Sequence, residues 1–160
     1  MKWDNDLTRT TGLRADWPYS RKAEAGVNPA DLADYQHYND ALYMRLGSTY
    51  LLKAEAQYKL GQTSEAAETI NILRRRAHAS EISAGNVNID FILDERAREL
   101  ALEEDRRWTL LRTGKWYDRT KLNNHNGGQN ISLRDTIYPI PQAVIDANLN
   151  EVMIQNPGYN

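Results

Sequence analysis

Residues 93–116 decide the fold, and they read LDERARELALEEDRRWTLLRTGKW. Apolar residues recur there every three or four positions, which predicts one long amphipathic helix over residues 90–118 with Asp90 as its N-cap. A line of charged residues follows the same helical spacing beside the apolar line. The apolar line is Leu93, Ala97, Leu100, Ala101, Trp108 and Leu111, and the charged line is Arg96, Glu99, Glu103 and Arg106.

Two glutamates of this helix resemble a catalytic pair at first sight. Glu99 and Glu103 lie one turn apart, at about 5–6 Å between Cβ atoms, and retaining glycosidases hold two carboxyl groups about 5–5.5 Å apart. Glycosidase carboxylates flank the scissile bond from different directions, however, whereas these two point the same way. Arg96 and Arg106 are spaced to pair with them, and a paired carboxylate has a lowered pKa and is a poor general acid. We therefore interpret the four residues as a structural ion network and predict no catalytic site.

Residues 41–79 predict a helical hairpin upstream of the long helix. Apolar and small residues recur at helical spacing from Tyr43 to Tyr58, and Gly61 follows where a helix would end. A second helical face follows at once, and so short a connection makes the two helices antiparallel. The hairpin resembles one tetratricopeptide repeat unit without a second copy. Since such units bury their faces against neighbours, we expect this one to lack a partner within the chain and the isolated fragment to be sticky or partly molten.

The remaining segments contain little regular pattern. Residues 1–40 form an irregular lead-in, and residues 119–160 form a loop and a Pro-rich C-terminal tail. Pro139 and Pro141 predict an extended entry to that tail, and Pro157 with Gly158 predicts a turn near its end. The sequence as a whole predicts an all-α fold with one hairpin, one long helix and extended loops.

The composition narrows the classes of ligand. The 160 residues fit one domain, and 20 Lys and Arg against 22 Asp and Glu give a formal charge of −2. This balance argues against a nucleic-acid partner, which requires a strongly basic surface. The chain has no cysteine, and His37, His78 and His125 lack the spacing of metal ligands. We therefore predict no metal site and no cofactor.

Four aromatic residues are candidates for ligand binding. A flat ring with a polar group can stack on the apolar face of a sugar. The alternative, which we favour, is a ring half-buried at a helix end. The candidates are Trp17, Tyr19, Trp116 and Tyr117.

Five motifs in a fixed order cover about residues 40–160. No single motif is specific, but five in sequence with suitable spacing are. The series strongly resembles the C-terminal region of the SusD/RagB family of outer-membrane nutrient-binding proteins. The motifs are MRLGSTYLLKAEAQYKLG, EAAETINILRRRA, LDERARELALEEDRRWTLLRTGK, YPIPQAVIDANLN and QNPGY.

The resemblance implies a function that the spacing of residues does not reveal. Members of this family are helical surface lipoproteins of Bacteroidetes-type bacteria, and they are binders rather than enzymes. They cap a TonB-dependent barrel of the SusC type and help it to capture glycans or other nutrients. We therefore expect a non-catalytic nutrient binder at the outer-membrane surface, with an oligosaccharide or another nutrient as its ligand and a SusC-like transporter as its partner.

The resemblance also implies that this chain is one part of a larger domain. Family members are several times longer and begin with a lipoprotein signal, so we expect residues 1–160 to be a C-terminal segment. The lipid anchor and most ligand contacts would then belong to the N-terminal part of the same protein. In the family the charged helix is scaffold, and Trp108 would anchor its far end. The chain departs from the family pattern at Glu104 and Asp105, where members more often carry an aromatic residue and a glycine.

Two other functions remain open at this stage. A cytosolic tetratricopeptide-like interaction scaffold is favoured by the single hairpin and by the lack of a secretion signal in MKWDNDLTRT. A glycoside hydrolase would use Glu99 and Glu103 as its carboxyl pair. A signal and lipobox encoded upstream would exclude the cytosolic scaffold.

Overall fold

The computed structural model describes residues 43–159, and every regular element in that range is helical. This confirms the predicted all-α class. The predicted lead-in at 1–40 lies outside the described residues, as do residues 41 and 42 of the predicted hairpin. The helices are α1 (Leu46–Lys59), α2 (Thr63–Arg76), α3 (Ile89–Glu99), α4 (Arg106–Arg112), α5 (Trp116–Asn123) and α6 (Gln142–Ala147), with short 3₁₀ turns at Ala84–Asn86, Gly128–Asn130 and Leu133–Thr136. None of these described helices is both long and apolar enough to cross a bilayer.

Helices α1 and α2 form the predicted hairpin. Gly61 has a φ of +78°, and this left-handed conformation, which glycine adopts without strain, ends α1 and turns the chain back. The N–H of Gln62 donates to the carbonyl of Gln57 at 2.9 Å and closes the turn. Ala54 and Ala66 are fully buried between the two helices, so their small side chains allow close approach.

The hairpin has a partner within the chain, so the expectation that its apolar face is uncovered is wrong. Ile70 of α2 and Ile92 of α3 are both fully buried in one cluster with Val87 of the connector. The buried side chain of Asn71 fixes that connector, since it accepts from the N–H of Ile82 and donates to its carbonyl, each at 2.9 Å. The chain therefore returns across the hairpin, and α3 serves as the third helix of the core.

The single helix predicted over 90–118 is wrong, because the structure divides this stretch into α3, α4 and α5. Leu102 adopts a φ of +64° in the first break, and Gly114 a φ of +70° in the second. The carboxylate of Asp105 accepts from the N–H of Arg107 at 3.2 Å and caps α4. The N-cap of α3 is also two residues earlier than predicted, since Asn88 accepts from the N–H of Phe91 at 2.8 Å.

The first break changes which residues of α4 face the core. Leu110 and Trp116 pack with Leu93 in a second buried cluster, whereas the side chain of Trp108 is 61% exposed. The prediction that Trp108 anchors the end of the helix is therefore wrong. Residues 100–105 interrupt the helical phase, so the apolar line of α3 does not continue along the same face of α4.

The C-terminal tail folds back along its own entry segment. The side-chain amide of Gln155 bonds both backbone groups of Ile140, accepting at 2.7 Å and donating at 2.8 Å. The hydroxyl of Tyr159 donates to the carbonyl of Ile137 at 2.9 Å. The turn predicted from Pro157 and Gly158 is present, with Gly158 at a φ of +87°.

Candidate functional site

Arg45 joins the start of the hairpin to the end of α3. Its guanidinium bonds the carboxylate and the carbonyl of Glu99 as well as the carboxylate of Glu103. Arg76, in the last turn of α2, also donates to the Glu99 carboxylate, at 2.6 Å. Three segments that are distant in sequence therefore meet at one carboxylate.

A second group of charges lies in the interior between α3 and α4. Arg96 donates to Glu104 through Nε at 2.8 Å and also through Nη2, and the hydroxyl of Thr109 donates to the same carboxylate oxygen. The side chains of Arg96 and Glu104 are only 5% and 9% exposed. In a continuous helix two residues eight positions apart would lie about 12 Å apart along the axis, so the break at Leu102 is what brings this pair into contact.

The four residues of the predicted ion network form ion pairs, but with partners other than those that their spacing along the helix suggested. Arg96 pairs with Glu104, and Glu103 pairs with Arg45. Arg106 approaches Glu104 at 3.7 Å. Burial raises the pKa of Glu99, but the hydrogen bonds from Arg45 and Arg76 outweigh it, and the pKa lies below its ordinary value. A carboxyl group with a lowered pKa is not poised to donate a proton at neutral pH.

A third charged group, missed from the sequence, connects α1 to α4. Glu55 is buried, and Arg112 donates one hydrogen bond of 2.6 Å to each of its two carboxylate oxygens. Lys59 donates a further hydrogen bond of 2.7 Å to the same carboxylate. The hydrogen bonds from Arg112 lower the pKa of Glu55 to about 2, against the opposing effect of burial. The spacing of Glu55 and Lys59 by four residues was a visible signal, but nothing local pointed to Arg112.

A cleft opens where α3, α4 and α5 meet, and we call it the arginine cleft. Its volume is about 510 Å³. Charged and amide side chains surround an apolar floor formed by Ala97, Leu110 and Trp116. The lining residues are Asp94, Ala97, Arg106, Arg107, Leu110, Trp116, Arg119, Thr120, Asn123 and Asn124.

Two of the three arginines of the arginine cleft are held firmly. Arg107 lies between two rings, with its guanidinium carbon 4.5 Å from the centroids of Trp116 and of Tyr138, and it donates to the carbonyl of Asp135 at 2.6 Å. Arg119 pairs with Asp90 at 3.0 Å and also with Asp94. These contacts fix both positive charges in place at the cleft wall.

Arg106 is held less firmly than the other two arginines. Within residues 43–159 its guanidinium makes no hydrogen bond, and its Nη1 atom is buried without a hydrogen-bond partner. Burial lowers the pKa of Arg106; Glu104 and Asp94 oppose this effect, while Arg119 and Arg96 add to it. A guanidinium remains charged at neutral pH even so, which leaves this positive charge incompletely compensated.

The structure separates the four candidate aromatic residues. Trp116 forms part of the cleft floor, but it is only 7% exposed and so presents no open ring face. Tyr117 packs partly buried against the Leu93 cluster, and its hydroxyl accepts from Lys121 at 3.0 Å. Trp17 and Tyr19 lie outside the described residues. The sequence predicted Arg106 only as a member of the ion network, and Arg107 and Arg119 were missed, although the Arg106–Arg107 dipeptide was a visible signal.

In the part of the chain that the structure describes, no group of three or more His, Asp or Glu side chains is placed to hold a metal ion. Of the three histidines, His37 lies outside that part.

Comparison with known proteins decides the family. The profile of the SusD family matches residues 5–159, which is nearly the whole chain. The chain belongs to the SusD family. The resemblance carried by the five motifs is thereby confirmed, and the helical architecture agrees with it.

Individual members of the SusD family align over much of this chain. The starch-binding protein SusD of Bacteroides thetaiotaomicron is 36% identical over an alignment of 135 positions, which covers 82% of this chain and 23% of that protein. SusD-like protein P25 of Formosa agariphila is 28% identical over an alignment of 163 positions, which covers 98% of this chain and 31% of that protein. The chain therefore spans only about a quarter to a third of the length of these curated relatives. No solved structure gives a significant match.

Proposed function

We propose that this chain is the C-terminal segment of a non-catalytic glycan-binding protein at the bacterial outer-membrane surface. The observation that carries the proposal is the match to the SusD family over residues 5–159. A relative that is 36% identical is a starch-binding protein, which favours an oligosaccharide as the ligand. The bound nutrient would pass to a SusC-like TonB-dependent transporter.

The charged residues of α3 and α4 support a scaffold role rather than catalysis. Arg45 and Arg76 occupy the Glu99 carboxylate, and Arg45 also pairs with Glu103. Both glutamates therefore face basic side chains of the same chain instead of an open space. Such pairs hold the hairpin against α3, and the Arg96–Glu104 pair joins α3 to the segment before α4. We assign Arg96, Glu99 and Glu103 to this structural role, with Arg106 at its edge, 3.7 Å from Glu104.

The C-terminal tail supports the assignment of this chain to a larger domain. Leu149, Val152 and Ile154 are all largely exposed. Neighbouring exposed apolar residues are typical of a surface that another protein segment covers. We assign that covering segment to the N-terminal part of the same protein, which would also carry the lipid anchor and most of the ligand contacts.

Binding without turnover is the expected behaviour of the full-length protein. Titration calorimetry against a panel of oligosaccharides, with starch fragments included, should show saturable binding to at least one of them. Chromatography of the same mixtures should recover the oligosaccharides intact. Purification from membranes should recover the TonB-dependent barrel with the tagged protein.

The cytosolic scaffold alternative makes the opposite prediction. The protein would then remain in the cytosolic fraction, bind no oligosaccharide of the panel and co-purify with cytosolic proteins. Release of shorter sugars would instead contradict the non-catalytic assignment. Protease treatment of intact cells separates the two locations, because only a protein on the cell surface is digested.

A further inference from the structure

We propose that the arginine cleft binds the anionic group of an acidic oligosaccharide, either a carboxylate or a sulfate ester. This inference rests on the proposed function, since it names a class of sugar for a glycan-binding protein. In this proposal the arginine side chains of the cleft bind the negative charge of the sugar, whereas aromatic rings elsewhere would stack on its apolar face.

The charge balance of the cleft favours an anion. Three guanidiniums line it against one carboxylate, that of Asp94. Two acids behind the wall each contact one cleft arginine and one further base: Asp90 pairs with Arg119 and Lys115, and Glu104 with Arg106 and Arg96. These two acids and the two further bases, Lys115 and Arg96, cancel in the count. The cleft therefore carries an excess of about two positive charges in a chain whose formal charge is −2. Partly enclosed charges of one sign concentrate ligands of the opposite sign.

Arg106 supplies a donor that the protein leaves available. Its side chain is 31% exposed, and its guanidinium makes no hydrogen bond within the described range 43–159. Its Nη1 atom is enclosed without a hydrogen-bond partner, and the side chain is part of the cleft lining. A carboxylate or a sulfate matches the paired donors of a guanidinium and accepts two parallel bonds from it. Arg107 and Arg119, fixed by their own contacts, keep the surrounding potential positive.

The size and the rim of the cleft suit a sugar residue. Pockets that hold small ligands are usually about 300–1,000 Å³ in volume, and this one is about 510 Å³. Thr120, Asn123 and Asn124 place hydroxyl and amide groups along α5, where they can bond sugar hydroxyls. Because Trp116 is buried, an uncharged sugar ring finds no flat surface to stack on.

The test compares matched oligosaccharides on the full-length protein by titration calorimetry. One is neutral, one carries a uronic acid and one carries a sulfate ester, all of the same length. We expect an acidic oligosaccharide to bind more tightly than the neutral one. Arg106→Gln should weaken acidic binding about tenfold or more, the usual effect of losing hydrogen bonds to a charged group, and should change neutral binding less than twofold.

Two further variants keep the test independent of folding. Asn123→Asp changes an exposed side chain to a carboxylate of the same shape, and it should weaken acidic binding by like-charge repulsion. Arg75→Gln removes an exposed arginine on α2, away from the cleft, and should leave every affinity unchanged. Circular dichroism spectra identical to those of the parent would show that each variant is folded.

The possible outcomes separate this inference from the proposed function. If oligosaccharides bind but Arg106→Gln and Asn123→Asp leave acidic binding unchanged, the cleft assignment is overturned and glycan binding stands. If no oligosaccharide binds, both are overturned. If only the uronic acid or only the sulfate ester depends on Arg106, the inference is supported and the anion is identified.

Discussion

Replacing Arg96 with methionine should lower the free energy of unfolding by about 3–5 kcal/mol, the typical cost of removing one partner of a buried ion pair. Glu104 would keep its buried position but lose the guanidinium that donates to it twice. The hydroxyl of Thr109 would remain as its hydrogen-bond donor, and the Arg106 guanidinium, 3.7 Å away, is too distant to replace the lost hydrogen bonds. Urea denaturation at neutral pH, followed by circular dichroism, measures the change.

Two control variants make this prediction specific. Arg75→Met removes an arginine whose partners, Glu68 and Glu81, are exposed, and it should lower the free energy of unfolding far less than Arg96→Met does. The double variant Arg96→Met with Glu104→Met should recover most of the stability lost in Arg96→Met, because a buried ion pair can be replaced by apolar side chains of similar volume. If Arg96→Met lowered the free energy of unfolding by less than about 1 kcal/mol, the stabilising role of the Arg96–Glu104 pair would be contradicted.

Glu55 should give the protein a pH-dependent stability. Its folded-state pKa of about 2 lies below the ordinary value of 4.5, so ionised Glu55 stabilises the fold above pH 4.5, and this contribution declines as the pH falls toward 2. At one pKa unit per 1.36 kcal/mol, the full contribution is about 3 kcal/mol, of which about 2 kcal/mol is lost between pH 6 and pH 3. The parent should therefore exceed Glu55→Gln in stability by a margin that shrinks over this range.

The measurement is urea denaturation of parent and variant at pH 6, 5, 4 and 3. Comparing the two proteins at each pH cancels the titration of the other carboxylates. Glu68→Gln serves as the control, since the Glu68 side chain is exposed and solvent screens its pair with Arg75. A parent-to-variant margin that stays constant with pH would contradict the lowered pKa of Glu55.

The hairpin could be predicted from the sequence because its signals are local. Gly61 stops α1, and the apolar residues of α2 repeat at helical spacing, so the turn and the buried face follow from neighbouring residues. The covering of the hairpin by α3 was not predicted. It depends on Asn71 bonding the backbone of Ile82, eleven residues away, and no local pattern encodes that contact.

The break between α3 and α4 could not be predicted from periodicity alone. In the sequence, the apolar and charged lines continue through residues 100–105 at helical spacing, yet Leu102 adopts a left-handed conformation there. The stabilising reason is tertiary, since the break allows Glu104 to reach Arg96. The departure of LALEEDRRW from the family pattern at Glu104 and Asp105 was the local signal of this break.

The arginine cleft could not be predicted for the same reason. Arg106 and Arg119 belong to different helices, and a single continuous helix would have placed them more than three turns apart. Only the two breaks bring α4 and α5 together around Trp116. Family resemblance supplied the proposed function, but it did not locate this cleft.

The most direct test of this account asks whether the charged segment is scaffold or active site. The full-length parent and a Glu99→Gln, Glu103→Gln double variant are incubated with the oligosaccharides that the parent binds, and released sugars are quantified by chromatography. We predict that the parent releases no product, and that the double variant binds the same oligosaccharides but unfolds at lower urea concentration. Product release by the parent that disappears in the double variant would contradict the account.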